Sequence, residues 1–230
     1  MNSRRLIITL ACSFALALSP LWSGNPNAGG CCSTSAGPEP VTSGCNAGAC
    51  GEGGDGGGAC GLDLKVANDA VSLSPEARER LILQWEEENL ATNVYRTLGE
   101  TYSAHPFQNI PRAEDRHAQA MRDLLRAAGI NLEEIAPNPD LATMQRDLIA
   151  RGQQSEIEAL KVGALIEERD IADLRELAEL IEDATARRVI QQLETGSQHH
   201  LNAFVRNLQR RGASYEPVVL SSAEFAAILN

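Results

Sequence analysis

The sequence predicts an all-α protein, a four-helix bundle with one long crossover between its second and third helices. Two observations lead to this prediction. Apolar residues recur at steps of three and four almost throughout the chain after Gly61, and we find no segment with the alternation typical of a strand. Four long segments carry the helical period, and the connection between the second and the third is the longest.

Residues 1–20 are predicted to be an export signal. Arg4 and Arg5 form a short basic start, and the apolar run LIITLACSFALAL that follows is too short to span a bilayer comfortably. The start SRRLII also weakly resembles the twin-arginine export motif, although an ordinary secretory signal with two arginines is the simpler interpretation. We therefore expect the protein in the periplasm, the cell envelope or the extracellular space.

Residues 21–61 are rich in Gly, Ser, Pro and Cys, a composition that cannot form a packed core and predicts a flexible tether. Removal of the signal, with Cys12, leaves an odd number of cysteines, so one is expected to pair with another chain, stay free or carry a lipid. Their spacing matches no standard zinc or iron–sulfur pattern, and disulfides in an oxidising compartment are the preferred interpretation. The tether is then disulfide-linked or attached to a surface. Its cysteines are Cys31, Cys32, Cys45, Cys50 and Cys60.

Residues 62–230 form the predicted bundle, a length sufficient for one substantial core. This part contains 18 of the 20 basic residues and 28 of the 31 acidic residues, which gives it a net charge of about −10. A surface this acidic repels a polyanion, so nucleic acid is excluded as a partner.

The helix boundaries follow from capping signals. Ser74 is a good N-cap and Pro75 suits the first helical position, while Gly129 and Gly212 follow helical segments as terminators. A loop is expected at 103–109, and the C-terminal tail is expected to be an extended strip followed by one short helix. The predicted helices are a first one from Ser74 through Tyr102, a second over about 111–128, a short one over 141–150, a third over 155–181 and a fourth over 183–211.

Polar residues interrupt the inward apolar stripe near the middle of each long helix. Burying unpaired carboxylates costs several kcal/mol each, so a core does not keep three of them without compensation. A metal cation supplies this compensation, and a combination of oxygen and imidazole ligands suits iron or manganese. Each residue alone has a simpler explanation, such as a solvated pair or a hydrogen-bonded core histidine, but their conjunction at one level favours a metal site. The inward residues are Glu88, Glu114, His117, Glu167 and His200.

At these residues the chain resembles rubrerythrins and bacterioferritins of the ferritin-like diiron-carboxylate superfamily. It also resembles a group of exported prokaryotic ferritin-like domains of unknown function. Four separated motifs carry the likeness over about 135 residues, from Leu81 to Tyr215: EEENLATNVY, the Glu-x-x-His of Glu114 and His117, GALIEERDIADL and GSQHHLNAF. Because the motifs agree in order and spacing, the resemblance strongly implies the ferritin-like four-helix bundle, and it implies an activity only weakly.

The resemblance implies a centre of one or two iron ions, with manganese as the alternative. In it Glu114 bridges, Glu88 and Glu167 are terminal ligands, and His117 and His200 each bind one metal. The sequence departs from the superfamily at Ser197, where the fourth helix ordinarily carries the glutamate of a second Glu-x-x-His. Asp170, on the adjacent helix, is the candidate replacement, whereas Glu194 lies near the rim of the stripe.

The leading hypothesis is therefore an exported, iron-binding ferritin-like protein. A diiron-type oxidoreductase acting on dioxygen or peroxide is the activity that the resemblance suggests, and no catalytic residue is assigned. The alternative is a non-catalytic envelope module whose metal is structural or missing. Storage inside a cage fits poorly with a long N-terminal tether. Bundles of this superfamily often dimerise, so the resemblance also implies a homodimer.

Overall fold

A computed structural model describes residues 70–230, and every regular element in that range is helical, as predicted. The predicted export signal and tether lie outside the described residues. In the described range no helix is both long enough and apolar enough to cross a bilayer. The elements are α1 (Pro75–Thr101), α2 (His105–Asn109), α3 (Pro111–Ala127), a 3-10 turn (Leu132–Glu134), α4 (Pro139–Gly152), α5 (Glu156–Leu180), α6 (Ala184–Arg210) and α7 (Ser222–Leu229).

Side-chain caps fix where three of the four long helices begin. Ser74, Ser155 and Asp183 each accept a hydrogen bond from the backbone N–H three residues further on, at 3.1, 3.1 and 2.8 Å. These bonds satisfy N–H groups that have no partner within the helix. Gly129 and Gly212, with φ of 72° and 71°, lie just beyond α3 and α6 in the left-handed conformation that glycine adopts readily. The predicted boundaries of the long helices therefore agree with the structure to within about two residues.

The contacts between helices fix their directions. α1 runs antiparallel to both α3 and α5, and α5 runs antiparallel to α6, so that α3 and α5 run the same way. The connection from α3 to α5, which contains α4, must therefore return the chain to the other end of the helices. The pairs that set the directions are Val71 with Ala127 (3.0 Å), Arg80 with Asp173 (3.0 Å), Tyr95 with Glu167 (2.6 Å), Arg175 with Glu194 (2.8 Å) and Arg211 with Glu156 (2.8 Å).

The loop expected at 103–109 is mostly a short helix, α2. Phe107 is the reason, because its ring is buried against Tyr95 and Phe204, with ring centroids 6.2 and 5.5 Å away. A helix of five residues is too short to show a period in the sequence, so the turn depends on this tertiary packing. The expected tail, an extended strip followed by one short helix, is present as residues 213–221 and α7.

The core consists of two apolar clusters and a polar layer, which is formed by Glu88, Glu114, His117, Glu167 and His200. One cluster contains Leu81, Leu124, Leu177 and Leu193, and the other contains Leu98, Phe107, Leu160 and Phe204. On α1 and α6 the polar layer falls between the residues that enter the two clusters. The layer is thus enclosed by apolar side chains from all four long helices, which lowers its access to water.

Candidate metal centre

The α3 helix places Glu114 and His117 side by side in the polar layer. Residues three apart lie on the same face of a helix, and both side chains are buried, with exposed fractions of 1% and 2%. The Oε2 atom of Glu114 lies 3.0 Å from Nδ1 of His117. This ring nitrogen faces the centre of the protein together with the carboxylate.

The α6 helix adds His200 to the same carboxylate. Nδ1 of His200 lies 2.8 Å from Oε1 of Glu114, so one glutamate lies between two imidazoles. The two imidazole rings are nearly parallel, with an angle of 24° between their planes, and their centroids are 5.4 Å apart. The ligand atoms of Glu114, His117 and His200 all lie within 4.8 Å of one another, which is close enough for these residues to hold a metal ion.

Glu88 and Glu167 complete the layer from α1 and α5. Oε2 of Glu88 lies 3.5 Å from Nδ1 of His117, and Oε2 of Glu167 lies 3.5 Å from Nδ1 of His200. The structure therefore brings the five residues named from the sequence into one cluster, with each long helix contributing at least one. Three carboxylates and two imidazoles are a suitable set of ligand groups for iron or manganese.

The short distances in this cluster are not accompanied by hydrogen bonds. Nδ1 of His117, Nδ1 of His200 and Oε1 of both Glu88 and Glu114 are buried atoms without a hydrogen-bond partner. An ordinary buried ion pair directs an N–H at an oxygen, and a buried polar atom left without a partner costs about 1–3 kcal/mol. Here nitrogen and oxygen atoms converge without that alignment. Converging lone pairs fit a cation between them, so the residues present suit a bound metal.

The electrostatics of the layer show how strongly its groups interact. Burial raises the pKa of Glu88 to about 7, although His117 acts in the opposite direction. Burial and the charge of Glu114 likewise raise the pKa of Glu167 to about 7. Burial opposes ionisation of Glu114, yet the two histidines hold its pKa well below the ordinary value. Burial alone would lower the pKa of His200, but Glu114 and Glu167 raise it to about 9.

Tyr95 is the polar neighbour of Glu167. Its hydroxyl donates a hydrogen bond of 2.6 Å to Oε1 of this glutamate, and its ring packs against Phe107 and Phe204. Burial, together with the charge of Glu167, raises the pKa of Tyr95 well above its ordinary value, so the phenol keeps its proton. Tyr95 therefore fixes the orientation of Glu167. Gly163 of α5 makes room here, since a Cβ at that position would lie 2.2 Å from the ring of Phe204.

At Ser197 the place of the missing carboxylate is taken by Asp170. The Ser197 hydroxyl donates a hydrogen bond to one oxygen of Asp170, and the Gln84 amide donates to the other. Glu194 does not fill the gap, because it accepts hydrogen bonds from Arg175 at 2.8 Å and from Gln198 at 2.9 Å. Gln84 was not among the residues named from the sequence. Its position one turn before Glu88, on the same helical face, is the signal that could have found it.

The two neighbouring histidines of α6 differ in their exposure. His199 is exposed, whereas the side chain of His200 is only 13% exposed and faces the cluster. His199 is thus a surface residue. This makes it a natural control position for any test of His200.

Glu168, next to Glu167 on α5, is fully buried but has a different environment. Its carboxylate accepts hydrogen bonds from the hydroxyl of Tyr215 at 2.6 Å and from three consecutive backbone N–H groups at 2.7–3.1 Å. These three belong to Val218, Val219 and Leu220. The carboxylate of Glu168 therefore anchors the C-terminal strip to α5, a role that its place at the edge of the α5 stripe does not reveal.

Comparison with known proteins gives relatives for this helical part. The chain is 35% identical over 164 residues to the uncharacterized protein MJ0754 of Methanocaldococcus jannaschii, an alignment that covers 69% of this chain and 89% of the relative. A crystal structure described as the hypothetical protein MJ0754 from Methanococcus jannaschii matches with a TM-score of 0.66, at 35% identity, over 69% of this chain and 94% of that one. Residues 77–230 match the family described as "Uncharacterized protein domain (DUF2202)", and the chain belongs to this family.

Proposed function

We propose that this protein is an exported metal-binding protein with a ferritin-like four-helix bundle. Its centre binds iron or manganese through Glu88, Glu114, His117, Glu167 and His200. The observation that carries the proposal is the convergence of buried nitrogen and oxygen atoms that approach to 2.8–3.5 Å without forming hydrogen bonds.

The alternative role for these residues, a purely structural polar layer, agrees less well with the contacts. A structural layer would be expected to satisfy its donors and acceptors, since an unsatisfied buried group destabilises the fold by about 1–3 kcal/mol. In the polar layer, four buried atoms of ligand type lack partners. A bound cation would remove this cost, since both imidazoles and the carboxylates of the layer could hold it.

The ligand types favour iron and manganese over a structural zinc or an electron-transfer copper. Carboxylate and imidazole groups suit these ions, whereas zinc in structural sites and copper in electron-transfer sites commonly take thiolates. No cysteine lies after Gly61 in the sequence, so the helical part offers no thiolate. The four long helices and the return connection between α3 and α5 agree with the proposed ferritin-like arrangement.

A bound iron or manganese ion would supply one-electron redox chemistry toward dioxygen or peroxide. The residues of the chain prepare the site for it. Glu114 lies between both histidines, and Tyr95 orients Glu167 through its 2.6 Å hydrogen bond while keeping its own proton. The apolar clusters on both sides limit water, which strengthens the electrostatic interactions within the layer.

The test is the metal content of the full-length protein, stripped with a chelator and then incubated with iron(II) or manganese(II). The wild type is expected to retain metal through gel filtration. Substitution of His117→Ala together with His200→Ala should abolish retention because it removes both nitrogen ligands. His199→Ala is the matched control, since it removes an exposed histidine of the same helix. Retention by the double variant equal to that of the wild type would overturn the proposal.

Activity is a second question for the loaded protein. Consumption of oxygen or peroxide that requires both His117 and His200 would support an oxidoreductase. If metal raises only the temperature of unfolding, the protein is instead a non-catalytic envelope module with a structural metal. Both results are compatible with metal binding. The double variant His117→Ala with His200→Ala and the control His199→Ala show whether any activity depends on the centre.

A further inference from the structure

We infer that Asp170 is an additional ligand of the centre and that it allows a second cation to bind there. In this arrangement α5 supplies the carboxylate that α6 lacks at Ser197. The inference rests on the proposed function, because it concerns the same site and extends it from one ion to two.

The position of Asp170 follows from the helical period. Asp170 lies one turn after Glu167 on α5, Ser197 lies one turn before His200 on α6, and Gln84 lies one turn before Glu88 on α1. Hydrogen bonds join Asp170 to Ser197 and to Gln84. The three residues therefore form the layer directly next to the cluster of five, on the side where the serine replaces the expected glutamate.

The hydrogen bonds of Asp170 hold its carboxylate without neutralising it. Both donors are neutral groups, a hydroxyl and an amide, and each bonds to a different oxygen. A carboxylate oxygen has two lone pairs, so each oxygen keeps one that can reach a cation. Asp173, nearly one turn further along α5, shows the contrast, because it pairs with the guanidinium of Arg80 at 3.0 Å.

Ser197 is what makes room for this carboxylate. Its side chain is fully buried, and its single O–H is shared between Asp170 and the carbonyl of Leu193, which lies 3.2 Å from the hydroxyl oxygen. A glutamate at this position would have to occupy the space in which the Asp170 carboxylate now lies. The serine on α6 and the aspartate on α5 are therefore complementary, and a carboxylate reaches the same region from the neighbouring helix.

The charges of the layer also call for more than one cation. Glu88, Glu114 and Glu167, with Asp170 in the adjacent layer, are four neighbouring acidic groups, and both histidines must be neutral to coordinate a metal. One divalent ion leaves a net charge of −2 among buried groups, whereas two divalent ions compensate all four carboxylates. Oε1 of Glu88, which is buried and has no partner, is a further oxygen available to the second ion.

The test measures how many manganese(II) ions the full-length, chelator-stripped protein binds, by native mass spectrometry and by titration. The wild type should bind two, and Asp170→Asn should bind one. Asp173→Asn is the matched control on the same helix and should bind two. Combining Ser197→Glu with Asp170→Ala, which vacates the space, returns a carboxylate from α6 and should restore the second ion. Electron paramagnetic resonance gives an independent signature, since two neighbouring manganese ions couple and one does not.

The outcomes separate this inference from the proposed function. A wild type that binds one ion overturns the second site and leaves the metal centre standing, whereas a wild type that binds none overturns both. Two ions in Asp170→Asn would also overturn the inference. If that variant fails to fold by circular dichroism, the double variant decides: two ions support the role of a carboxylate at this place, and one ion contradicts it.

Discussion

Glu167 and Glu168 are consecutive residues of α5 and are equally buried, but their carboxylates have different hydrogen-bond partners and different charged neighbours. The Glu168 carboxylate accepts from Tyr215 and from three backbone N–H groups of the C-terminal strip. The Glu167 carboxylate accepts one hydrogen bond, from Tyr95, and otherwise faces His200 and the other acidic groups of the polar layer.

This difference shows how a structural buried carboxylate can be told from a candidate ligand. Burial and residue type are the same for both, so neither property distinguishes them. The number of hydrogen-bond donors around each carboxylate distinguishes them. A carboxylate whose lone pairs are all occupied contributes to stability, whereas one whose surroundings supply mainly acceptors is stable as an anion only with a cation nearby. Four experiments test this contrast.

Glu168→Ala should have the largest effect on stability. It leaves three backbone N–H groups and the Tyr215 hydroxyl without an acceptor, and the expected loss is about 3 kcal/mol in the free energy of unfolding. Urea denaturation of the chelated protein measures this loss. Because Glu168 faces away from the cluster, metal binding by the folded variant should be unchanged. A stability equal to that of the wild type would show that the strip does not depend on this anchor.

Glu167→Gln should have the opposite profile. Without metal it removes an uncompensated buried charge, so stability should be unchanged or higher by about 1 kcal/mol. Metal affinity should fall by at least about tenfold, because a carboxylate ligand is lost. Titration with manganese and urea denaturation of the same sample give both values. If Glu167→Gln destabilises the chelated protein as much as Glu168→Ala does, the contrast between the two residues is wrong.

The stability of the metal-free protein should fall as the pH rises from mildly acidic to alkaline. Glu88 and Glu167 have folded-state pKa values of about 7, above those of ordinary glutamates, and that of His200 is about 9, above an ordinary histidine. Groups with raised values stabilise the fold below their unfolded pKa and lose this contribution as the pH passes the folded value. Bound metal should reverse the trend, because ligands must lose protons to coordinate. Thermal unfolding between about pH 6 and pH 9, with and without manganese, measures both trends.

Tyr95→Phe should have the smallest effect of the four. It removes the hydrogen bond to Glu167 but keeps the ring between Phe107 and Phe204. A loss of about 1 kcal/mol in stability is expected, with a modest fall in metal affinity because Glu167 loses its orientation. An affinity unchanged within error would show that the tyrosine serves packing alone.

The sequence was sufficient for the parts of the structure that local signals determine. Ser74, Ser155 and Asp183 fix helix starts through their own side chains, and the all-helical class follows from the apolar period. The polar residues on the inward stripes gave five residues that the structure brings together. Their role as metal ligands stays a prediction.

The rest depends on contacts between distant segments, which a helical period does not encode. α2 exists because Phe107 packs on rings from α1 and α6. The role of Glu168 depends on backbone groups some fifty residues away in the chain. The period places Asp170 on the side of Glu167, but only the packed helices show that Ser197 and Gln84 hold it.

Anomalous diffraction from crystals of the protein soaked in manganese(II) tests the metal centre directly. We expect a strong anomalous peak enclosed by Glu114, His117 and His200, with Glu88 and Glu167 oriented toward it. A peak only at surface carboxylates, or no peak while His117 and His200 donate ordinary hydrogen bonds to Glu114, would contradict the metal centre.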